Sequence, residues 1–63
     1  MENKELIEAI IAYRARNGIT QKEFAKMVGI THANMCYIET GKTKRPNQTT
    51  VYKIMQVINS EVL

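Results

Sequence analysis

The sequence contains no aspartate and no tryptophan, and only one cysteine (Cys36), one histidine (His32) and one proline (Pro46). Each scarcity excludes something. A lone cysteine cannot close an internal disulfide, so the fold must rest on packing, and a reducing, cytoplasmic compartment is expected. His32 and Cys36 stand four residues apart and could share a helix face, yet two ligands with no aspartate nearby do not make a metal site. No nucleophile and base can be paired, and no glycine-rich loop precedes a phosphate-binding lysine. The expectation is a non-enzymatic protein with no cofactor and no metal. No apolar run approaches the roughly 20 residues of a membrane-spanning helix, and the opening MENKELIE is acidic where a targeting segment would be basic. Alternating runs bounded by hairpin turn residues are also missing, which argues against strands.

What is present is a short, amphipathic, mildly basic chain. Its 63 residues are expected to form a single small domain, 1–63, and a domain of this size buries only about 60% of its unfolded surface. Nine Lys and Arg against six Glu give a net charge of +3 and a pI near 9.3. That excess alone is weak evidence for a nucleic-acid partner. Its distribution says more, because Glu2, Glu5 and Glu8 belong to the first turns of a helix, where the helix dipole favours acids. The rest of the chain is correspondingly more basic, with Lys22 and Lys26 in one segment and Lys42, Lys44 and Arg45 clustered in another.

The most strongly signalled stretch is Thr20 to Gly41, TQKEFAKMVGITHANMCYIETG. Thr20 followed three residues later by Glu23 is a capping box, which predicts a helix starting at Gln21. Phe24, Ala25 and Val28 recur at helical spacing, and Gly29 can end the helix in the left-handed conformation. Thr31 is a second N-cap candidate, Met35 and Ile38 lie three apart on one face, and Gly41 is a second C-cap candidate. Two short helices joined by a tight glycine-containing turn read as a helix-turn-helix over 20–40. Before it, a helix is predicted from about Lys4 to Asn17, with Asn3 as cap, Leu6, Ile7, Ile10 and Ile11 as the apolar stripe, Ala9 and Tyr13 flanking it, and Gly18 as stop. After it, KTKRPN is an exposed loop. A fourth helix follows, capped by Asn47 or Thr49, with Val51, Ile54, Met55 and Ile58 inward. Met27, Met35 and Met55 are expected to fill gaps in the core.

With the helices placed, Gln21, Ala25, Gly29, Ile30, Ile38, Glu39 and Gly41 sit in a pattern that resembles helix-turn-helix domains of the phage repressor and Cro type. The loop GKTKRP, Gly41 to Pro46, is similar to the corresponding loop of certain lambdoid phage repressors, and the similarity covers roughly Ile10 to Ile58. The resemblance implies a small all-α fold of four helices, with a fifth, truncated by the stop at Leu63, that in the family often makes the dimer contact. Gln48 departs from the pattern, where the family usually has an apolar residue. It also implies a partly buried salt bridge between Arg14 and Glu39, and a sequence-specific regulator that binds a palindromic double-stranded DNA operator as a homodimer.

In such a motif the second helix presents its N-terminal half to base edges in the major groove, while the first crosses the backbone. With Met35 and Ile38 facing inward, His32, Ala33, Cys36 and Tyr37 are left outward as candidate base contacts, and Asn34 lies nearer the flank. His32 could donate to guanine N7 or O6, Ala33 could touch a thymine methyl, the Tyr37 hydroxyl could reach a base edge or a phosphate, and Asn34 could pair with adenine or bind phosphate. The competing structural readings are ordinary ones: a solvated histidine, a tyrosine ring closing the core edge, and a good helix former at Gln21. Candidate phosphate contacts are Gln21, which the family resemblance implies clamps a phosphate, Lys22 and Thr31 at the helix starts, and Thr40, Lys42 and Lys44 in the turn after the second helix. Arg45 joins them or, as the resemblance of the KTKRP loop implies, enters the minor groove or lies over it, where a narrow A·T-rich groove attracts an arginine electrostatically. A restriction-modification controller or a toxin-linked antitoxin fits the same residues. A different class also fits: a helical protein-interaction module, such as a polymerase-contacting adaptor, docking a partner helix on Tyr37, Met35 and Val51.

Overall fold

A computed structural model describes residues 3–60 as four α-helices: α1 (Asn3–Asn17), α2 (Gln21–Val28), α3 (His32–Glu39) and α4 (Gln48–Asn59). There is no strand among the described residues. The expected all-α architecture is therefore the observed one. Glu2 and Leu63, invoked above, lie outside the described residues.

The helix ends follow from local chemistry. At α2 both halves of the capping box form: the Glu23 N–H donates to Thr20 Oγ1 at 3.0 Å, and the Thr20 N–H donates to Glu23 Oε1 at 2.7 Å. Two of the backbone donors left without intrahelical acceptors at that end are thereby satisfied. Gly29 closes α2 at φ 90°, sending its own N–H and that of Ile30 to Ala25 O. At α3, Thr31 Oγ1 accepts from the Asn34 N–H at 3.1 Å. Asn47 starts α4 by accepting from the Thr49 N–H at 2.7 Å, so Asn47 rather than Thr49 is the cap.

Two boundaries differ from the sequence reading. Asn3 lies within α1 rather than capping it, and its Nδ2 donates to Thr43 O at 3.4 Å, tying this end of α1 to the loop beyond α3. Thr40, not Gly41, caps α3; Gly41 follows it at φ 80°, with its N–H on Ile38 O. Gln48 opens α4 in an exposed position, where a polar side chain costs nothing.

All four helices contribute to one core. Leu6, Ile10 and Tyr13 of α1, Phe24, Ala25 and Val28 of α2, Met35 and Ile38 of α3, and Ile54 of α4 are buried, each large apolar side chain being worth about 1.5–3 kcal/mol of burial. Tyr13 and Phe24 meet with ring centroids 5.4 Å apart and planes inclined at 50°. Tyr13 thus belongs to the core rather than to its flank, because the buried face of α1 runs 6, 10, 13. Ile11 lies off that face and is exposed. Met27 is likewise half exposed rather than a core filler, since Phe24, Ala25 and Val28 already occupy the inner side of α2. Met35 is completely buried, while Val51, Met55 and Ile58 pack at the core edge. Helix α2 packs most extensively on α3, and α1 and α4 hold that pair from behind.

Candidate nucleic-acid interface

The α2–α3 pair is positioned by polar as well as apolar contacts. Arg14 Nη1, late in α1, donates to both carboxylate oxygens of Glu39, at 2.6 and 2.9 Å, and Arg14 Nε donates to Ile19 O at 3.4 Å. The Glu39 side chain is only 8% exposed and that of Arg14 25%. One guanidinium therefore ties α1, the α1–α2 turn and the last residue of α3 together.

The start of α3 is held against the start of α2. His32 Nε2 lies 2.9 Å from Gln21 Oε1, on the exposed side of both helices. Gln21 and His32 are the first residues of their helices, so two positive helix-dipole ends lie side by side. Around Gln21 the N–H groups of the first turn have no i−4 acceptor inside the helix, and such groups bind anions. The Glu23 carboxylate shares this end; hydrogen bonds from the Thr20 backbone and side chain hold its pKa below the ordinary 4.5.

The remaining candidate base readers spread along α3. Ala33, Asn34 and Tyr37 are exposed, whereas Cys36 is half-buried. Asn34 lines a shallow depression with Thr43, Pro46, Asn47 and Thr50, which places it toward the loop and the start of α4, on the flank of the outer face. The Tyr37 ring does not close the core edge. It stands 43% exposed with the Lys42 ammonium 4.8 Å from its centroid, a cation–π contact that holds the lysine over the outer side of α3.

The two threonines expected at phosphates differ in what they can donate. Thr31 Oγ1 accepts from the Asn34 N–H, so its hydroxyl proton stays available. Thr40 Oγ1 donates to Cys36 O at 2.9 Å, so its proton is already committed. Lys22, Lys44 and Arg45 are exposed. Among the described residues no group of three or more His, Cys, Asp or Glu could hold a metal ion, and no helix is long and apolar enough to cross a membrane. The His32–Gln21 contact had no signal in the sequence, where the two residues were assigned to base and phosphate separately.

A family model described as helix-turn-helix matches residues 10–62. The chain belongs to this helix-turn-helix family. Two curated relatives, both described as uncharacterized HTH-type transcriptional regulators from Archaeoglobus fulgidus, are similar to it. One is 38% identical over 50 residues, spanning 79% of this chain and 70% of the relative; the other is 36% identical, spanning 79% and 69%. No solved structure matches the chain significantly.

Proposed function

We propose that this protein is a sequence-specific DNA-binding transcriptional regulator, without enzymatic activity, that places α3 in the major groove of an operator. The observation that carries the reading is the contact between Gln21 and His32, which brings the first residues of α2 and α3 together on an exposed polar face. Two such ends suit a phosphate at Gln21 and a base edge at His32. Ala33, Asn34, Cys36 and Tyr37 complete the reading surface. Lys22, Thr31, Lys42, Lys44 and Arg45 supply backbone contacts, while Thr40 joins them only by giving up its bond to Cys36 O. One short helix reads few base pairs, so useful specificity requires a homodimer on a palindromic site, its half-sites about 34 Å apart.

The protein-interaction reading loses one of its three anchors, since Met35 has no exposed surface to offer a partner. Selection of binding sites from random duplex DNA tests the proposal. A palindromic motif whose affinity falls steeply with salt is the expected result. Failure to bind any duplex at low salt would overturn it.

A further inference from the structure

We propose that the groove between α1, the α3–α4 loop and the start of α4 docks an acidic, amphipathic segment of a partner protein, and that this partner competes with DNA for Lys44 and Arg45. The competition rests on the DNA-binding reading above; the docking does not.

The groove holds about 670 Å³. Leu6, almost wholly buried, and Val51, partly buried, form its apolar floor, and Tyr52 stands beside them 65% exposed. An exposed aromatic ring next to an apolar floor is the kind of anchor that a docked segment covers. Lys44 and Arg45, both exposed, line the same groove from the loop. Gln48, the first residue of α4, brings the positive end of that helix dipole to it. Asn3 Nδ2, on Thr43 O at 3.4 Å, ties the loop to α1, so the cations keep their place beside the apolar floor. Past Tyr52 the surface continues along α4 into a second depression, against Met55, Gln56 and Asn59. From Gln48 to Asn59 that track is about 16 Å long, the reach of three turns of a partner helix.

Charge and apolar surface together select the occupant. Among the described residues no acid lines either depression, and neither Lys44 nor Arg45 has an ion-pair partner. DNA would meet the cations but has no side chains with which to cover Leu6, Val51 and Tyr52. A second copy laying α4 here brings no carboxylate, because Gln48–Asn59 contains no acidic residue. A segment with acids at one end and apolar side chains along one face serves both halves of the groove. Its acids would occupy the same two cations that the operator backbone needs, so partner and DNA exclude each other.

Selection from a displayed library of random 15-residue peptides on the wild-type protein tests the docking. Enriched peptides should carry acidic residues beside apolar ones. A synthetic peptide of the enriched sequence should shift the 15N–1H resonances of Lys44, Arg45, Val51 and Tyr52 in the wild type. Tyr52→Ala should weaken its binding at least about tenfold. Lys44→Gln combined with Arg45→Gln should weaken it about threefold to tenfold and flatten its salt dependence. Thermal melts check that each variant folds. No enriched peptide, peptides without acids, or shifts confined to another face overturns the docking. So does a wild-type dimer that Tyr52→Ala turns into a monomer in sedimentation, which assigns the face to a second copy. On a selected operator the peptide should displace the wild type, whereas Tyr52→Ala should bind that operator as tightly as wild type and resist displacement. Docking without displacement overturns the competition alone. Failure to bind any duplex overturns the DNA-binding reading, and the competition with it, but leaves the docking standing.

Discussion

Glu39, the last residue of α3, receives both of its short side-chain hydrogen bonds from a single nitrogen of Arg14, 25 residues earlier, at 2.6 and 2.9 Å. The pair lies between the limiting cases, with a carboxylate almost out of water and a guanidinium a quarter exposed. Exposed pairs contribute under about 1 kcal/mol, whereas stripping one partner from a buried pair costs about 3–5 kcal/mol.

Glu39→Ala should accordingly destabilise the protein by about 2 kcal/mol, because the Arg14 charge keeps partial access to solvent once its partner is gone. In a domain this small that lowers the melting midpoint by roughly 8–16 °C. A calorimetric midpoint that stays where it was would show that the pair contributes no stability.

Gly29 holds φ 90°, and a Cβ built there meets nothing within 4 Å. Substitution is therefore opposed by backbone conformation alone, not by a clash. Gly29→Ala should cost about 1–2 kcal/mol, and Gly29→Asn less, since asparagine visits the left-handed region more readily. Urea denaturation of the two variants gives the comparison, and equal losses would point to an unseen steric cause.

The capping box predicts an acid-sensitive α2. Glu23 has a folded-state pKa below 4.5 because the Thr20 N–H and hydroxyl stabilise its carboxylate. A depressed folded value means stability that is present above the unfolded pKa and is lost as pH falls through the folded one. Glu23→Gln keeps a capping side chain that cannot titrate, so stability measured from pH 6 downward should fall less steeply in the variant than in wild type. Parallel curves would remove Glu23 from the acid response.

On DNA, the loop cations should reveal themselves through salt. Lys44→Ala should weaken binding about equally on different sequences and reduce the slope of log affinity against log salt by about one. Lys42→Ala should do the same and also release the Tyr37 ring, so it alone is expected to alter base preference as well. Binding titrations on the selected site and a scrambled duplex separate the two effects.

Most of the framework was legible in the chain itself. Capping residues act within about one helical turn, so Thr20, Glu23, Gly29, Thr31 and Asn47 announced helix ends that the fold kept. Periodicity likewise marked Phe24, Ala25, Val28, Met35, Ile38 and Ile54 as inward, because a helix has one apolar face whatever packs on it. Which flank of a stripe is covered depends on where the neighbouring helices lie. Tyr13 was therefore drawn into the core while Ile11 and Met27 stayed outside.

The surface chemistry of the Thr20 to Gly41 stretch was decided later still. Residue types make His32 a donor and Tyr37 a core-edge or base-edge ring, and the family resemblance makes Gln21 a phosphate clamp and Thr40 a phosphate contact, each on its own. Folding paired them with Gln21, His32, Lys42 and Cys36 O as their neighbours. The sequence by itself determined the helices and their inner faces, because those arise from local hydrogen bonding and from apolar spacing along one chain segment. Only the tertiary structure decided which polar groups meet across the turn, because a hydrogen bond between residues 11 apart exists only once α2 and α3 have packed.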